Sequence, residues 1–170
     1  MDITLVQEPY VYQNQVTGIS WKYRIFSSGK GKKRAAIVVT NKSIDALLIH
    51  QMSEEDIVVI EVTHGNKNFI AASIYLDIRK DITEDFNKIK NILQLAKGKG
   101  LLVATDSNAR SKTWHDVITN KRGRLLEEFV IESRLHIINE KSRLTTFESN
   151  PKDPRRDQAS GTFSLTLYYN

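Results

Sequence analysis

Four side chains in this sequence have types and positions that suit acid–base and phosphoryl chemistry. Glu8 and Tyr75 each stand where a predicted strand ends, and Asp106 and Asn108 occupy a polar turn after the apolar run 101–104. Open α/β sheets commonly place chemistry at such strand ends. The alternative for the Asp-Ser-Asn turn is an Asx turn, in which short polar side chains only satisfy the backbone of the loop.

A carboxylate, a phenol and an Asp-x-Asn pair suit the hydrolysis of a phosphate ester. A hard divalent ion such as Mg²⁺ prefers carboxylate oxygen, and it can polarise a phosphoryl oxygen and stabilise the leaving alkoxide. A second carboxylate can orient the attacking water, while an amide and a phenol donate hydrogen bonds to the charge of the transition state. The sequence contains no cysteine, which excludes disulfides, Cys-ligated zinc and thiol catalysis.

The net charge of +5 and the pI near 9.4 favour a polyanionic partner. The alternative is that each basic cluster is an ordinary solvated loop. The clusters are Lys30, Lys32, Lys33 and Arg34; Arg110 and Lys112; Lys121, Arg122 and Arg124; and Lys152, Arg155 and Arg156. The longest apolar runs are too short to cross a bilayer, and no secretory segment follows Met1, so we expect an intracellular protein without membrane contact.

The elements that must position these side chains are strands before residue 80 and a mixture of two helices and four strands after it. The pattern predicts strands at 2–7, 21–26, 34–40, 46–50, 56–62, 68–75, 101–105, 135–138, 145–147 and 162–169. It predicts helices at 81–97, with Asp81 as N-cap, and at 123–133, and a polar basic loop at 150–160. No linker divides the chain, so we expect a single domain over residues 1–170.

The first helix joins two of the predicted strands as a crossover unit. Such a unit connects parallel strands, so the carboxyl ends of both strands meet at one edge of the sheet. Tyr75 and Asp106 therefore should face the same crevice.

Five ordered motifs resemble a known family. They are Gln7-Glu8-Pro9-Tyr10; Ser73-Ile74-Tyr75; Thr105-Asp106-Ser107-Asn108-Ala109, followed by Trp114; Asn120-x-Arg122-Gly123-x-x-Leu126; and Thr145-Thr146-Phe147. Together they resemble the apurinic-endonuclease-like domain of non-LTR retrotransposons, a branch of the endonuclease/exonuclease/phosphatase superfamily, and most of all arthropod elements that insert into ribosomal DNA. The resemblance implies an α/β (α+β) fold, specifically a two-sheet α/β sandwich.

The resemblance also implies an activity and a role for each residue. It implies a Mg²⁺-dependent DNA endonuclease, with Mn²⁺ as the alternative ion, that binds DNA through the basic clusters. A reverse transcriptase domain would belong to the same element, and action on chromosomal DNA would be nuclear. Glu8 would be the metal ligand, Asp106 would position or activate water, Asn108 would contact the scissile phosphate, and Tyr75 would donate to it.

Four further residues in or beside these motifs have structural interpretations. The turn at Arg122 and Gly123 is expected to place the second helix, and Trp114 to pack beneath the 105–115 loop. His115 is expected to face solvent.

The sequence departs from the family pattern in three places. The chain begins after the family's first strand, which ends in asparagine, and after its first helix, so we expect a domain truncated at both ends. The segment 163–167 has Ser164 where the family has an acid that supports its catalytic histidine, and the family's terminal Ser-Asp-His motif is absent from the 170 residues. Two functions therefore stay open, an endonuclease that is active or impaired, and a catalytically inactive nucleic-acid-binding remnant or co-opted fragment. A small-molecule phosphatase is a third interpretation, which the separated basic clusters disfavour.

Overall fold

A computed structural model describes residues 2–139 and 164–169 and arranges them in three layers. Two helices cover one face of a six-stranded sheet, and a three-stranded sheet covers the other face. The predicted strand at 145–147, the loop at 150–160 and the fourth basic cluster lie outside the described residues. Neither described helix is long and apolar enough to span a membrane.

Strands and helices follow one another along the chain as β1 (Ile3–Gln7), β2 (Val11–Tyr12), β3 (Gln15–Val16), β4 (Arg24–Phe26), β5 (Ala35–Val39), β6 (Asp45–Leu48), β7 (Ile57–His64), β8 (Lys67–Tyr75), α1 (Ile82–Leu95), β9 (Gly100–Asp106), α2 (Lys121–Glu132), β10 (His136–Ile137) and β11 (Ser164–Tyr169). Short 3₁₀ turns lie at His50–Met52 and Lys112–Trp114. The large sheet has the order β10-β11-β9-β8-β7-β6, the small sheet has the order β1-β5-β4, and β2 and β3 form a separate hairpin.

Two hydrophobic clusters hold the three layers together. Alternate residues of β7 point to opposite faces, so that Val59 packs beneath the helices with Ile89 of α1 and Phe129 of α2. Ile60 on the other face packs against Ile37 of β5, between the two sheets. The α/β class and the two-sheet sandwich expected from the sequence are therefore confirmed.

The crossover between β8 and β9 is also as expected. The two strands are parallel, α1 connects them, and the register pairs Tyr75 with Asp106. Asp81 caps α1, because its side chain accepts a hydrogen bond from the backbone N–H of Thr83 at 3.0 Å. The edge of the large sheet therefore presents the two predicted site residues side by side.

The structure corrects several predicted boundaries. The strand predicted at 21–26 is only β4, because it pairs with β5 from Arg24 onward and Trp21 precedes it on a turn, 87% exposed. The hairpin of β2 and β3 was not predicted, since its strands are two residues long and its turn contains no glycine. Asn120 caps α2 by accepting from Gly123 N–H at 2.7 Å, so α2 starts two residues before the predicted position.

Candidate active site

The four predicted site residues lie around one edge of the two-sheet sandwich. Tyr75 and Asp106 end neighbouring parallel strands, and the N–H of Leu76 donates to the Asp106 carbonyl at 2.9 Å. Glu8 follows β1 of the small sheet, where its N–H donates to the Arg34 carbonyl at 2.8 Å. Glu8 and Tyr75 line the same cleft, which has a volume of about 420 Å³.

The position of Glu8 depends on hydrogen bonds that cross between the sheets. The Nε2 of Gln7 donates to Ser73 Oγ at 2.9 Å and to the Ala104 carbonyl at 3.1 Å. Ser73, fully buried in β8, donates in turn to the Val6 carbonyl at 2.8 Å. These bonds fix the end of β1 against the two strands that carry Tyr75 and Asp106.

Asn108 is held by its own side chain and backbone. Its N–H donates to Asp106 Oδ1 at 3.2 Å, which forms the Asx turn considered from the sequence. Its Nδ2 donates to the Leu76 carbonyl at 3.1 Å. Asp106 and Asn108 therefore support the loop, and they do so at the edge where Tyr75 and Glu8 also lie.

Two of the four residues have a backbone conformation that side chains other than glycine rarely adopt. Glu8 has φ 49° and Asn108 has φ 47°, both in the left-handed region. This region is sparsely populated, more so by glutamate than by asparagine, and residues held in it cluster at functional sites. The residue before Glu8 is anchored by cross-sheet hydrogen bonds, and the rare backbone conformation of Glu8 itself is of the kind found at functional sites.

Burial and the charge of Glu8 raise the pKa values of two side chains of the site, Asp106 and Tyr75. Burial raises the pKa of Asp106, the hydrogen bond from the Asn108 backbone opposes this shift, and the charge of Glu8 raises the pKa further. The pKa of Tyr75 is also raised, first by burial and then by Glu8, while Asn108 and Arg34 oppose the shift. Within residues 2–139 and 164–169, neither the Glu8 nor the Asp106 carboxylate forms an ion pair with Lys, Arg or His.

This donor set fits a hard divalent cation. The charge of Glu8 opposes the ionisation of Asp106, and a divalent ion bound by these carboxylates would relieve that repulsion. The described part of the chain has no cluster of three or more histidines and carboxylates that could enclose a metal. Mg²⁺ does not need such a cage, because it usually binds one or two carboxylates together with water and substrate phosphate.

The structure adds a residue that the sequence did not single out, the arginine beneath Tyr75. Arg34 donates to both carboxylate oxygens of Asp56 at 2.6 Å and to Asp77 Oδ2 at 2.6 Å. Its guanidinium lies 4.7 Å from the centre of the Tyr75 ring. The hydrogen bond with Asp56 is the largest of the interactions that raise the pKa of Arg34, and Arg79, followed by Arg34, lowers the pKa of Asp77. The hydrogen bonds with Asp56 and Asp77 therefore hold the Arg34 guanidinium in place against the Tyr75 ring.

Arg34 therefore does not belong with the free basic residues among which the sequence placed it. Only its partners could have revealed this, since Asp56 and Asp77 flank two buried strands and lie 22 and 43 residues away. Arg110 is likewise paired, with Asp116 at 3.0 Å. The exposed members of the described clusters are Lys30, Lys32, Lys112, Lys121 and Arg124.

The structural interpretations of Arg122, Gly123, Trp114 and His115 are confirmed. Arg122 donates to the carbonyls of Ser107, Lys80 and Asp77 at 3.0, 2.9 and 3.2 Å, which ties α2 to the loops around the site. Trp114 is 1% exposed and its Nε1 donates to the Ala109 carbonyl at 3.0 Å, while His115 is exposed.

Known proteins resemble this chain in both sequence and fold. The sequence model of the Endonuclease-reverse transcriptase family matches residues 69–157. A 115 kDa protein of the type-1 retrotransposable element R1DM of Drosophila melanogaster is 22% identical over 154 residues, which covers 86% of this chain and 15% of that protein. The Pol polyprotein of the type-1 element R1 of Bradysia coprophila is 23% identical over 146 residues, covering 79% and 14%.

Solved structures extend the comparison to almost the whole chain. The endonuclease domain of TRAS1, a telomere-specific non-LTR retrotransposon, superposes with a TM-score of 0.80 and 26% identity, over 98% of this chain and 72% of that one. An endonuclease/exonuclease/phosphatase family protein from Leptotrichia buccalis C-1013-b has a TM-score of 0.59 and 13% identity, over 99% of this chain and 76% of that one. At this identity the similarity supports the fold alone.

Proposed function

We propose, from the premise that this chain belongs to the endonuclease-reverse transcriptase family whose sequence model matches residues 69–157, that it nicks DNA as the endonuclease domain of a non-LTR retrotransposon. The relatives are retrotransposon proteins, and this chain spans only 15% and 14% of their lengths. We therefore also propose that a reverse transcriptase domain belongs to the same element. Cleavage of chromosomal DNA would take place in the nucleus.

The single observation that carries the proposal is the meeting of three strand ends at one edge. Glu8 from the small sheet comes together with Tyr75 and Asp106 from the large sheet, and the charge of Glu8 acts on both of them. The electrostatic coupling of Glu8 to Asp106 across the two sheets does not stabilise the fold, since it raises the energy of the ionised Asp106 carboxylate. It is useful where a substrate phosphate and a cation complete the charge balance.

Each residue has a step in phosphodiester hydrolysis that its environment favours. Asp106 takes or orients a proton of the attacking water, and its raised pKa makes the carboxylate a stronger base. The raised pKa of Tyr75 keeps the phenol protonated, so that it and the Asn108 amide donate to the phosphoryl oxygens. Glu8 would hold the divalent cation, Mg²⁺ or Mn²⁺, which when bound supplies positive charge to the transition state.

One observation favours a second candidate, an inactive DNA-binding remnant. Ser164, at the position where the resemblance predicts an acid, is the strand neighbour of Asp106 in the pairing of β11 with β9. Serine carries no charge and cannot replace a carboxylate that supports a base. Lost turnover with retained DNA binding would distinguish this candidate from the endonuclease.

Conversion of supercoiled plasmid to open circles in Mg²⁺ tests the proposal. The parent chain is expected to nick, and Glu8→Gln and Asp106→Asn are each expected to nick about 10²- to 10⁴-fold more slowly. Glu128→Gln, which removes an exposed carboxylate on α2, is the matched control and should nick at the parent rate. A parent chain that binds DNA in a salt-sensitive manner without nicking it would favour the remnant, and equal rates in all variants would contradict the assigned roles.

A further inference from the structure

A second cleft adjoins the candidate active site and has a different chemistry. It has a volume of about 740 Å³ and shares Glu8 and Lys32 with the active-site cleft. One wall is the hairpin of β2 and β3 with the preceding Tyr10, and the other is the glycine- and lysine-rich loop 27–33. Apart from Glu8, none of the four candidate active-site residues lines this cleft.

The cleft combines an exposed aromatic ring with free positive charge. Tyr10 is 73% exposed although it lies only two residues from Glu8. Lys30 and Lys32 are also exposed, and within the described residues neither forms an ion pair. Proteins that bind single-stranded nucleic acid use this combination, because a base stacks on the ring while cationic groups follow the backbone phosphates.

The two walls are held together by a buried lysine. Lys33 is 8% exposed, and its Nζ donates to the carbonyl and side-chain oxygens of Asn14 at 2.9 and 3.0 Å and to the Gly29 carbonyl at 3.2 Å. Asn14 Nδ2 donates back to the Lys30 carbonyl at 3.0 Å. The hairpin turn and the basic loop therefore form one unit.

A carboxylate fixes the backbone of the basic loop from beneath. Glu55 Oε1 accepts from the N–H groups of both Lys30 and Gly31 at 2.8 Å. The two ammonium groups of Lys30 and Lys32 thus extend from a backbone whose course is set before any ligand binds. A fixed loop reduces the entropy that a ligand must overcome on binding.

We propose that this cleft binds the nucleotide that adjoins the scissile phosphate, with an unstacked base on the Tyr10 ring and backbone phosphates at Lys30 and Lys32. The inference rests on the proposed function for the identity of the ligand as DNA. It goes beyond that function because it assigns contacts with the DNA strand to Tyr10, Lys30 and Lys32, which have no part in the proposed hydrolysis. The location follows from the shared residues Glu8 and Lys32, which make the two clefts continuous.

Binding of two strands that differ only in their bases tests the assignment. The probes are a fluorescein-labelled oligodeoxyadenylate and an abasic oligomer with the same number of phosphates. Fluorescence anisotropy in EDTA measures affinity without cleavage. The variants are Tyr10→Ala, Tyr10→Phe and Lys32→Gln in the full chain, and Trp21→Ala is the control because Trp21 is 87% exposed but lies outside the cleft lining.

The stacking assignment predicts a base-specific loss. Tyr10→Ala should weaken binding of oligodeoxyadenylate by about fivefold or more and leave binding of the abasic strand unchanged, and Tyr10→Phe should restore the parent affinity. Lys32→Gln should weaken binding of both strands by a similar factor and reduce the dependence on salt. Trp21→Ala should bind both strands as the parent does.

Two results would overturn the assignment. One is a Tyr10→Ala variant that binds oligodeoxyadenylate as tightly as the parent, and the other is an equal loss in Trp21→Ala. A parent chain that nicks plasmid while Tyr10→Ala binds normally would leave the endonuclease function standing without this subsite. A parent chain that fails to nick but shows the base-specific loss would leave the subsite standing without the endonuclease.

Discussion

Asp106 is the residue of the site whose ionisation costs the folded chain stability. Burial and the charge of Glu8 both raise its pKa, so the ionised carboxylate is less favourable in the folded chain than in the unfolded chain. A carboxylate with a raised pKa in the folded state lowers stability once the pH exceeds its ordinary pKa.

Replacement of Asp106 by asparagine should separate activity from stability. In EDTA at neutral pH, Asp106→Asn should raise the free energy of unfolding, because an amide has no ionisation penalty and can still accept from the Asn108 N–H. The gain should disappear as the pH falls below the ordinary carboxyl pKa, where the parent side chain is neutral in both states. Urea denaturation measures the difference.

The control for this stability prediction is Asp45→Asn, which changes an exposed carboxylate at the start of β6. It should change the free energy of unfolding by no more than about 0.5 kcal/mol. Destabilisation of Asp106→Asn at neutral pH would show that the carboxylate serves the fold.

The coupling between the two sheets can be measured on Asp106 directly. In metal-free protein, Glu8→Gln should lower the pKa of the Asp106 carboxyl, because it removes a negative charge that opposes ionisation. Carboxyl carbon chemical shifts followed through a pH titration report this value. Glu128→Gln should leave the titration unchanged, and an unchanged pKa in Glu8→Gln would mean that the two carboxylates do not share a site.

The sequence predicts which residue types lie at the strand ends, but it does not predict which side chains contact one another. Tyr75 and Asp106 could be brought together because a crossover unit fixes the relation of its two strand ends. The contact of Arg34 with Asp56 and Asp77 depends on how separate strands stack, which local pattern does not contain. The sequence therefore predicts a free cation at Arg34, whereas in the structure Arg34 is paired with Asp56 and Asp77 and lies against the Tyr75 ring.

At the scale of elements, the join between β1 and β8 sets the geometry of the site. Ser73 Oγ both donates to the Val6 carbonyl and accepts from Gln7 Nε2, so one buried hydroxyl links the two sheets. Ser73→Ala removes both bonds and leaves buried polar groups without this partner. The variant should lose about 1–3 kcal/mol in the free energy of unfolding measured in urea.

Ser20→Ala is the matched change for this element, because Ser20 is exposed before β4. It should stay within about 0.5 kcal/mol of the parent. Equal losses from the two serine variants would show that the cross-sheet bonds do not hold β1 in place.

The start of α2 is fixed by a close approach that only glycine permits. A Cβ at Gly123 would lie 1.9 Å from the carbonyl oxygen of Arg110, in the loop that follows Asn108. Gly123→Ala must displace either the helix or that loop, and we expect a loss of at least about 1–3 kcal/mol in the free energy of unfolding. Arg124→Ala, at an exposed position of the same helix, should change it by no more than about 0.5 kcal/mol in the same urea titration. Similar values for both variants would contradict the close approach.

The sequence predicts the type of an element best where its hydrophobic period extends over many residues. It predicts the bounds of short strands least well. The spacing of Ile82, Phe86 and Ile89 predicts α1, and in the structure Ile82 and Ile89 are buried while Phe86 packs against the core. The hairpin of β2 and β3 lacks any such signal, because its turn uses left-handed Gln13 and Asn14 in place of glycine.

At the scale of the whole molecule, the packing of the three layers determines which basic side chains remain exposed. The sequence has a net charge of +5 and four basic clusters. In the structure, Lys33, Arg34, Arg110 and Arg122 of these clusters form hydrogen bonds or ion pairs within the fold. The sandwich itself could be expected only through the family resemblance. Strands such as β5 and β7 are buried on both faces, so their periodicity could not show which layer lay on which side.

Glu8 from one sheet and Asp106 from the other are proposed to act as one phosphodiesterase site. The direct test is the plasmid-nicking rate in Mg²⁺ of the parent, Glu8→Gln, Asp106→Asn and the double variant. Residues of one catalytic unit give non-additive losses, so the double variant should nick at about the rate of the slower single variant, roughly 10²- to 10⁴-fold below the parent. Losses that multiply in the double variant, or a parent chain that does not nick, would contradict the claim.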